Sequence, residues 1–182
     1  MTVEVSVNLP DFDAASLTSL KDLPALIAAT VQTQRRMIFE NEGQYNGRPR
    51  WEPLKFRQGQ ILKDTGTLSK SIGPKNDGKR PAKANGSIVE MQPDMVTVGT
   101  DIAYAIVHEE GRIIRPKNPG GLLHFQVPEY VRSNKTGKLR QKGTRWIHAH
   151  QVTIPARPFG NITQQDADEL AETISNYYES IL

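Results

Sequence analysis

The chain lacks several features that would assign it to a common class of protein. Its 182 residues include no cysteine, so it forms neither a disulfide nor a thiolate metal site. It has no run of about 18 apolar residues, and its first residues lack the basic and apolar regions of a secretory signal. The P-loop, G-x-S-x-G and G-x-G-x-x-G patterns are also missing. We therefore expect a soluble protein that stays where it is made, and not an enzyme.

Length and composition favour one domain with much polar loop. A chain of this length is most simply a single α+β domain over residues 1–182. Its 14 glycines, 12 prolines and mean hydropathy of −0.52 indicate long polar connections around a modest core. That composition is typical of a subunit completed by its partners.

Charge is distributed unevenly along the chain. Between Arg112 and Arg145 there are nine basic residues and one acid, Glu129, whereas no lysine or arginine follows Arg157. The last segment instead carries several carboxylates. This polarity favours head-to-tail contact between copies, or attraction to a polyanion.

Hydrophobic periodicity predicts helices at both ends of the chain and strands between them. Residues 1–12 are predicted to form a strand or an extended arm. Met95 to Gly111 should anchor the core, because a strand there runs through Gly99 into a short helix. The other expected elements are a helix from Asp13 to Asn41, strands at Ser87–Met91 and Met95–Thr100, extended pieces at 113–114, 122–127 and 145–156, and an amphipathic helix from Thr163 to Leu182. The predicted fold class is α+β, with a small mainly antiparallel sheet packed by a long N-terminal helix, a short central helix and the C-terminal amphipathic helix.

Two aromatic residues are expected to be buried. Trp51 lies in a Gly- and Pro-rich stretch with many large apolar residues, which should wrap the core, and we predict that Trp51 is a packing plug and not a ligand-binding aromatic. Phe159 follows two prolines that set the approach of the last helix, so it should also be buried.

Two basic segments are predicted to be flexible loops. The segment 73–86 carries Lys75, Lys79, Arg80 and Lys83, and the segment 132–144 carries Arg132, Lys135, Lys138, Arg140 and Lys142. Such loops could contact acidic partner proteins, bind duplex DNA without sequence preference, or only be solvated. Aromatic residues are nearly absent from both, which disfavours stacking on single strands.

The histidines offer only a weak metal-site pattern. A zincin places two histidines one turn apart on one helix, whereas here His108 is alone on the short helix, and His148 and His150 lie on a strand. We expect structural or surface roles for them and predict neither a metal nor a cofactor. A metal-dependent hydrolase built on these histidines stays as an alternative.

Several ordered stretches together resemble the phage virion morphogenesis family, typified by the Mu G protein. They are RMIFENEG, NGRPRWEPL, ILKDTGTLSKSI, VTVGTDIAYAIVHEEGRII and VTIPARPFG, followed by a terminal helix. The most specific pieces end at Leu54 and span 65–68, 104–111 and 155–159. The residues that carry these motifs are Trp51, Gly66, Tyr104, His108, Gly111, Pro155, Arg157, Pro158 and Phe159.

The resemblance implies a structural virion component that acts late in assembly. Members look like small α+β subunits arranged as rings around the axial channel, and the family has no catalytic residues to transfer. The expected partners are the head-side connector or stopper, the tail terminator and the tail tube, with a hexamer as the expected ring. The protein would be made in the bacterial host cytoplasm and reside at the virion neck, with passing contact with genomic DNA and no membrane partner. The basic insert 132–144 departs from shorter relatives. A sequence-independent DNA-binding protein that uses the basic loops is the main alternative.

Overall fold

The computed structural model describes residues 2–6, 21–54, 59–63, 65–74, 80–92, 95–132 and 139–181. These ranges contain four helices and seven strands. In chain order they are β1 (Thr2–Ser6), α1 (Leu23–Glu40), α2 (Thr67–Ile72), β2 (Ser87–Met91), β3 (Met95–Thr100), α3 (Ala105–Glu110), β4 (Arg112–Ile114), β5 (Leu123–Arg132), β6 (Leu139–Ala149), β7 (Val152–Ile154) and α4 (Gln164–Ile181).

The strands confirm the predicted α+β class, but they form three small antiparallel sheets. The first has the order β1-β3-β2, and β3 is central because Val98 pairs with Val3 on one side and Val89 on the other. β4 pairs with β7, and β5 pairs with β6. The strand predicted over 145–156 is interrupted, because His150 and Gln151 leave the extended pairing between β6 and β7. That break lets the two strands join different sheets.

Helix α1 is the central packing element. A proline in the first turn suits its start, whereas Asp22 at the N-cap position makes no side-chain capping hydrogen bond. The prediction placed the start at Asp13, but Lys21 and Asp22 form a turn, and residues 13–20 lie outside the described ranges. Leu23, Ile27 and Val31 pack on a first core cluster with β3 and with Leu170 of α4.

A second core cluster surrounds Trp51 and Phe159. Both side chains are buried, as predicted, with Phe159 at 0% exposure. The ring of Phe39 lies 5.5 Å from that of Trp51 and 5.1 Å from that of Phe159. Gly43, with φ of 96°, makes room for the indole, because a Cβ there would lie 2.6 Å from the Trp51 ring. The segment after α1 therefore wraps the core.

Helix α2 was not predicted, because it follows a Gly- and Pro-rich stretch that indicated a loop wrapping the core. It follows Gly66, whose φ of 73° is left-handed, and it buries Leu68 and Ile72. The hydroxyl groups of Ser71 and Thr100 lie 2.7 Å apart and tie α2 to β3. The motif T-G-x-L thus starts a helix.

One of the two basic segments differs from its predicted loop. β6 already begins at Leu139, so residues 139–144 are strand and not loop, because they continue the ladder opposite β5. In the first segment, the Gln32 side chain bonds both the N–H and the carbonyl oxygen of Ala82 at 2.9 Å, which fixes that part to α1. Residues 75–79 and 133–138 lie outside the described ranges.

Helix α4 confirms the predicted amphipathic element, with one correction to its face. Leu170 is buried, and Ile174 and Tyr178 pack against the first core cluster. Ala167, which the period placed on that face, is exposed, and Tyr177 packs there instead. The apolar face is therefore rotated slightly from the predicted one.

Candidate interaction site

The segment Pro155–Phe159 is the point at which the other motif stretches meet. The backbone N–H of Arg157 donates to the carbonyl oxygen of His108 at 2.7 Å. The indole N–H of Trp51 donates to the carbonyl oxygen of Pro158 at 3.3 Å, and the Arg157 guanidinium donates to the carbonyl oxygen of Glu52 at 3.3 Å. Hydrogen bonds therefore join this segment to α3 and to the stretch after α1.

Glu109 holds the end of this segment. Its carboxylate accepts hydrogen bonds from the backbone N–H of Phe159 at 2.7 Å and of Gly160 at 3.1 Å. Burial raises the pKa of Glu109, although these two bonds act in the opposite direction. The carboxylate therefore holds the backbone between β7 and α4 in place, which is a structural role.

A buried ion cluster of Arg35, Arg48 and Asp166 lies behind the segment. The Arg35 guanidinium reaches Asp166 Oδ2 at 3.1 Å, and Arg48 Nη1 reaches Asp166 Oδ1 at 3.1 Å. Arg35 also donates to the carbonyl oxygens of Phe159 at 2.8 Å and Asn161 at 2.7 Å. The ion cluster joins α1, the wrapping segment and the first turn of α4.

Electrostatics in this cluster follow from burial and charge pairing. Burial lowers the pKa of Arg35 to about 10, partly offset by the adjacent Asp166 carboxylate. Burial would raise the pKa of Asp166, but hydrogen bonds from Arg48 and Asn46 and the charge of Arg35 outweigh it, so that pKa lies below its usual value. All three side chains are buried.

A polar fringe extends the cluster along α4. The Tyr45 hydroxyl donates to Glu169 at 3.0 Å, and the Asn46 amide donates to the same carboxylate at 3.0 Å. Burial, with the neighbouring Glu169 charge, raises the pKa of Tyr45 to about 12. The Gln34 amide donates to the carbonyl oxygen of Asp166 at 2.9 Å. These bonds satisfy polar groups that burial would otherwise leave unpaired.

An open groove lies on the other side of the motif segments. We call it the motif groove. It has a volume of about 480 Å³ and is lined by Leu54, Leu62, Thr65, Gly66, Thr67, Leu68, Tyr104, His108 and Arg157. A more apolar recess of about 320 Å³ adjoins it through Leu54, His108 and Arg157 and reaches Phe125 and Val127 of β5. Apolar residues make up most of the lining of the recess, whereas the motif groove also presents threonine, tyrosine, histidine and arginine side chains.

Strands β5 and β6 form a long hairpin, which we call the hairpin arm. Each strand contacts mainly the other and few residues of the body. Phe125 and Val127 face the recess, whereas Trp146 on the other face has 58% of its surface exposed. An isolated two-stranded hairpin is marginally stable in water. An arm of this kind gains stability when another chain packs on its free face.

The basic residues predicted as contacts lie in two places, the loop before β2 and the hairpin arm. Arg80 and Lys83 precede β2, and both are exposed. Lys142 is exposed on β6, where Arg145 adds a second exposed basic side chain. Arg132 and Arg140 lie in the paired end of the hairpin arm. Lys75, Lys79, Lys135 and Lys138 fall outside the described residues.

The histidines are arranged differently from the hydrolase alternative. His108 lines the motif groove, while His148 on β6 lies beside His124 on β5, a partner that the sequence did not indicate. Within the described ranges, no three His, Asp or Glu residues are grouped as metal ligands. Nor is any helix there long and apolar enough to cross a bilayer.

Sequence reasoning missed the buried ion cluster and Glu109. One signal was present: Arg35 lies between Val31 and Ile38 on the buried stripe of α1, four residues after one and three before the other. A charge on such a stripe needs a buried partner. The identity of that partner, Asp166, more than a hundred residues away, is not readable from local spacing.

The subunit thus combines a buried ion cluster, the open motif groove and the hairpin arm. The family model for the phage virion morphogenesis family matches residues 13–179, and the chain belongs to that family. The chain is 28% identical over 156 residues to the Mu-like prophage FluMu G protein 2 of Haemophilus influenzae. The matched residues make up 86% of this chain and 76% of that relative. No solved structure matches the chain significantly. The protein is thus a phage virion morphogenesis protein with a structural role.

Proposed function

We propose that this protein is the tail-completion or neck component of a Mu-like tailed phage. In this role it joins the tail to the head-side connector through protein contacts. Its partners are the connector or stopper, the tail terminator and the tail tube, and it acts as a homo-oligomeric ring, a hexamer, at the neck of the virion. Family membership and the likeness to a Mu-like G protein support this role.

The hairpin arm is the observation on which the proposal depends. Its strands pair with each other over ten residue pairs and expose Trp146 on the side away from the body. Tryptophan is enriched at the centres of protein interfaces, because a buried indole contributes a large contact area. The arm is therefore the part of this subunit best suited to reach a neighbour.

Charge suggests how copies contact one another. Lys142 and Arg145 are exposed on the hairpin arm, while Glu172 and Glu179 are exposed on the outer side of α4. A basic surface on one copy can therefore face an acidic surface on the next. Head-to-tail contacts of this type close into a ring when the rotation between copies permits it.

The experiment is complementation of a phage that lacks the gene. Loss of the gene should leave filled heads and tails that fail to join, or tails with faulty ends, as seen by electron microscopy. Supplying the wild-type protein should restore joined particles. Trp146→Ala should fold but restore few of them, because the lost side chain is exposed in the free subunit.

Met91→Ala is the matched control, since Met91 is also a large exposed side chain but lies on β2. It should complement as well as the wild type. Normal complementation by Trp146→Ala would contradict the role of the arm. Normal particles without the gene, or finished particles that lack the protein, would contradict the function itself.

Passing contact with genomic DNA is a second candidate, favoured by the exposed side chains of Arg80, Lys83 and Lys142. Contact of this kind depends on phosphate neutralisation, so duplex affinity should fall steeply as salt is raised. Lys138→Glu combined with Arg140→Glu should weaken it at low salt. Affinity that is insensitive to both salt and these changes would exclude it.

A further inference from the structure

Two histidines face each other across the base of the hairpin arm. His124 on β5 is the register partner of His148 on β6, and both side chains are exposed. Their ring centroids are 4.7 Å apart with planes at 78°, and the two Nδ1 atoms are 2.6 Å apart. Directly paired residues of antiparallel strands project to the same face, so the backbone itself holds the two imidazoles together.

Only one proton fits between the two Nδ1 atoms. At 2.6 Å, one ring donates Nδ1–H and the other accepts through its lone pair. When the donor ring instead carries its proton on Nε2, the other tautomer, two Nδ1 lone pairs point at the same position. Such a position suits a cation that accepts two imidazole donors.

The geometry requires a small adjustment to hold a metal ion. A tetrahedral ion with metal–nitrogen bonds of about 2.0–2.1 Å separates its two nitrogens by roughly 3.3 Å. The two rings must therefore move apart by about 0.7 Å relative to the 2.6 Å separation. Exposed rings on paired strands can do this through side-chain rotation, while the strand ladder keeps its register.

The surroundings favour a borderline metal over a hard one. The adjacent pair on the same face is Gln126 and Trp146, so no carboxylate flanks the histidines in the neighbouring register position. Imidazole nitrogen suits zinc, copper and nickel, whereas magnesium and calcium take oxygen ligands. Two histidines leave further coordination positions open to water or to a side chain of another subunit.

We propose that His124 and His148 form a two-histidine site that binds one divalent ion of the zinc, copper or nickel class across the base of the hairpin arm. The bound ion links β5 to β6 beside Trp146, and it stabilises the folded arm because an unfolded chain does not hold the two rings together. The inference stands on the hairpin geometry and does not depend on the proposed role at the virion neck.

The test is a calorimetric titration of the full chain, freed of metal with a chelator, with zinc chloride. One zinc ion per chain should bind. Copper(II) should bind more tightly than zinc, as the usual order of divalent affinities requires. His124→Ala and His148→Ala should each weaken zinc binding by at least about tenfold, the lower end of the loss seen even for supporting groups around a metal.

His150→Ala is the control, because His150 lies just beyond the end of β6 and outside the pair. It should bind zinc as the wild type does, and magnesium should not bind at this site. Circular dichroism checks that each variant is folded, and His124→Gln with His148→Gln repeats the test with bulkier replacements. Absence of zinc binding at millimolar concentration, or equal binding by the wild type and both alanine variants, would overturn the proposal.

Discussion

Asp166 connects two arginines inside the protein, at 1% exposure, and the packing of α4 depends on it. Arg35 and Arg48 are both buried, and this one carboxylate pairs with both of them. Removing one member of a buried ion pair leaves an uncompensated charge, which is far more costly than replacing the whole group by apolar residues. The cluster is therefore a structural requirement at the scale of a single residue.

We expect Asp166→Asn to lower the free energy of unfolding by about 3–5 kcal/mol at neutral pH, because it leaves two buried cations unpaired. The lowered pKa of Asp166 means that its contribution is present above pH 3.8, the ordinary aspartate value, and is lost as the pH falls through the lower pKa of the folded state. The difference between wild type and variant should therefore shrink below pH 3.8. Urea unfolding at several pH values measures it.

Glu109 has a raised pKa and so affects stability in the opposite direction as the pH falls, but it is present in both proteins and cancels in the comparison. A constant difference between wild type and variant from neutral to acidic pH would contradict the charge-pairing account.

Phe159→Ala should cost roughly 3–5 kcal/mol, because it empties the space between Phe39 and the motif segment. Denaturant unfolding provides the measurement. Ile162→Ala, at an exposed position three residues later, is the control and should change stability by less than about 1 kcal/mol. A similarly small change for Phe159→Ala would show that the second core cluster does not depend on this ring.

At the scale of elements, the packing of α2 on α1 depends on a missing side chain. A Cβ added to Gly73 would lie 2.4 Å from the backbone nitrogen of Arg36 and 2.9 Å from the carbonyl oxygen of Gln32. Neither backbone atom can move without distorting α1. The glycine at the end of α2 therefore sets how closely the two helices approach, and α2 in turn carries Leu68 to the motif groove.

Gly73→Ala should destabilise the fold by about 1–3 kcal/mol, as expected when a well-packed contact is overfilled. Gly143→Ala on β6 is the matched control, because a Cβ there has no neighbour within 4 Å. It should leave stability within about 0.5 kcal/mol of the wild type. Equal effects of the two changes would argue against a steric role for Gly73. Both are measured by thermal or denaturant unfolding.

At the scale of the whole molecule, the proposed ring contact can be tested by exchanging charges. One variant carries Lys142→Glu and Arg145→Glu on the hairpin arm, and the other carries Glu172→Lys and Glu179→Lys on α4. Each alone should fail to complement a gene deletion, because like charges then meet at every contact between copies. Expressed together, the two variants can alternate around a ring with an even number of subunits. Each contact then again joins one basic and one acidic surface.

Co-expression should therefore recover phage titre towards the wild-type level. A mixture of wild-type protein with either variant is the control, since it still places like charges at some contacts. Full activity of each variant alone, or no recovery in the mixture, would show that these two surfaces do not meet.

Local sequence signals predicted the regular elements well where apolar residues recur over several turns or alternate along a strand. Helix α1 beyond its cap, the hairpin of β2 and β3 and the amphipathic α4 follow from such periods, whereas α3 followed from a short apolar turn between Gly99 and Gly111. The starts of α1 and β6 were wrong, because a boundary depends on one or two residues and on the partner strand. α2 was missed because it follows a stretch rich in Gly and Pro, which predicted a loop around the core.

The sequence by itself determined the α+β class, the burial of Trp51 and Phe159, and the family to which the chain belongs, since these depend on periodicity, residue size and ordered motifs. Only the tertiary structure decided that Arg35 and Arg48 meet Asp166, that the motif segments converge on Pro155–Phe159, and that His124 lies beside His148. These contacts join residues 24 to 131 positions apart. A side chain's type and local period do not state which distant side chain will balance its charge, and that choice is made when the whole chain packs.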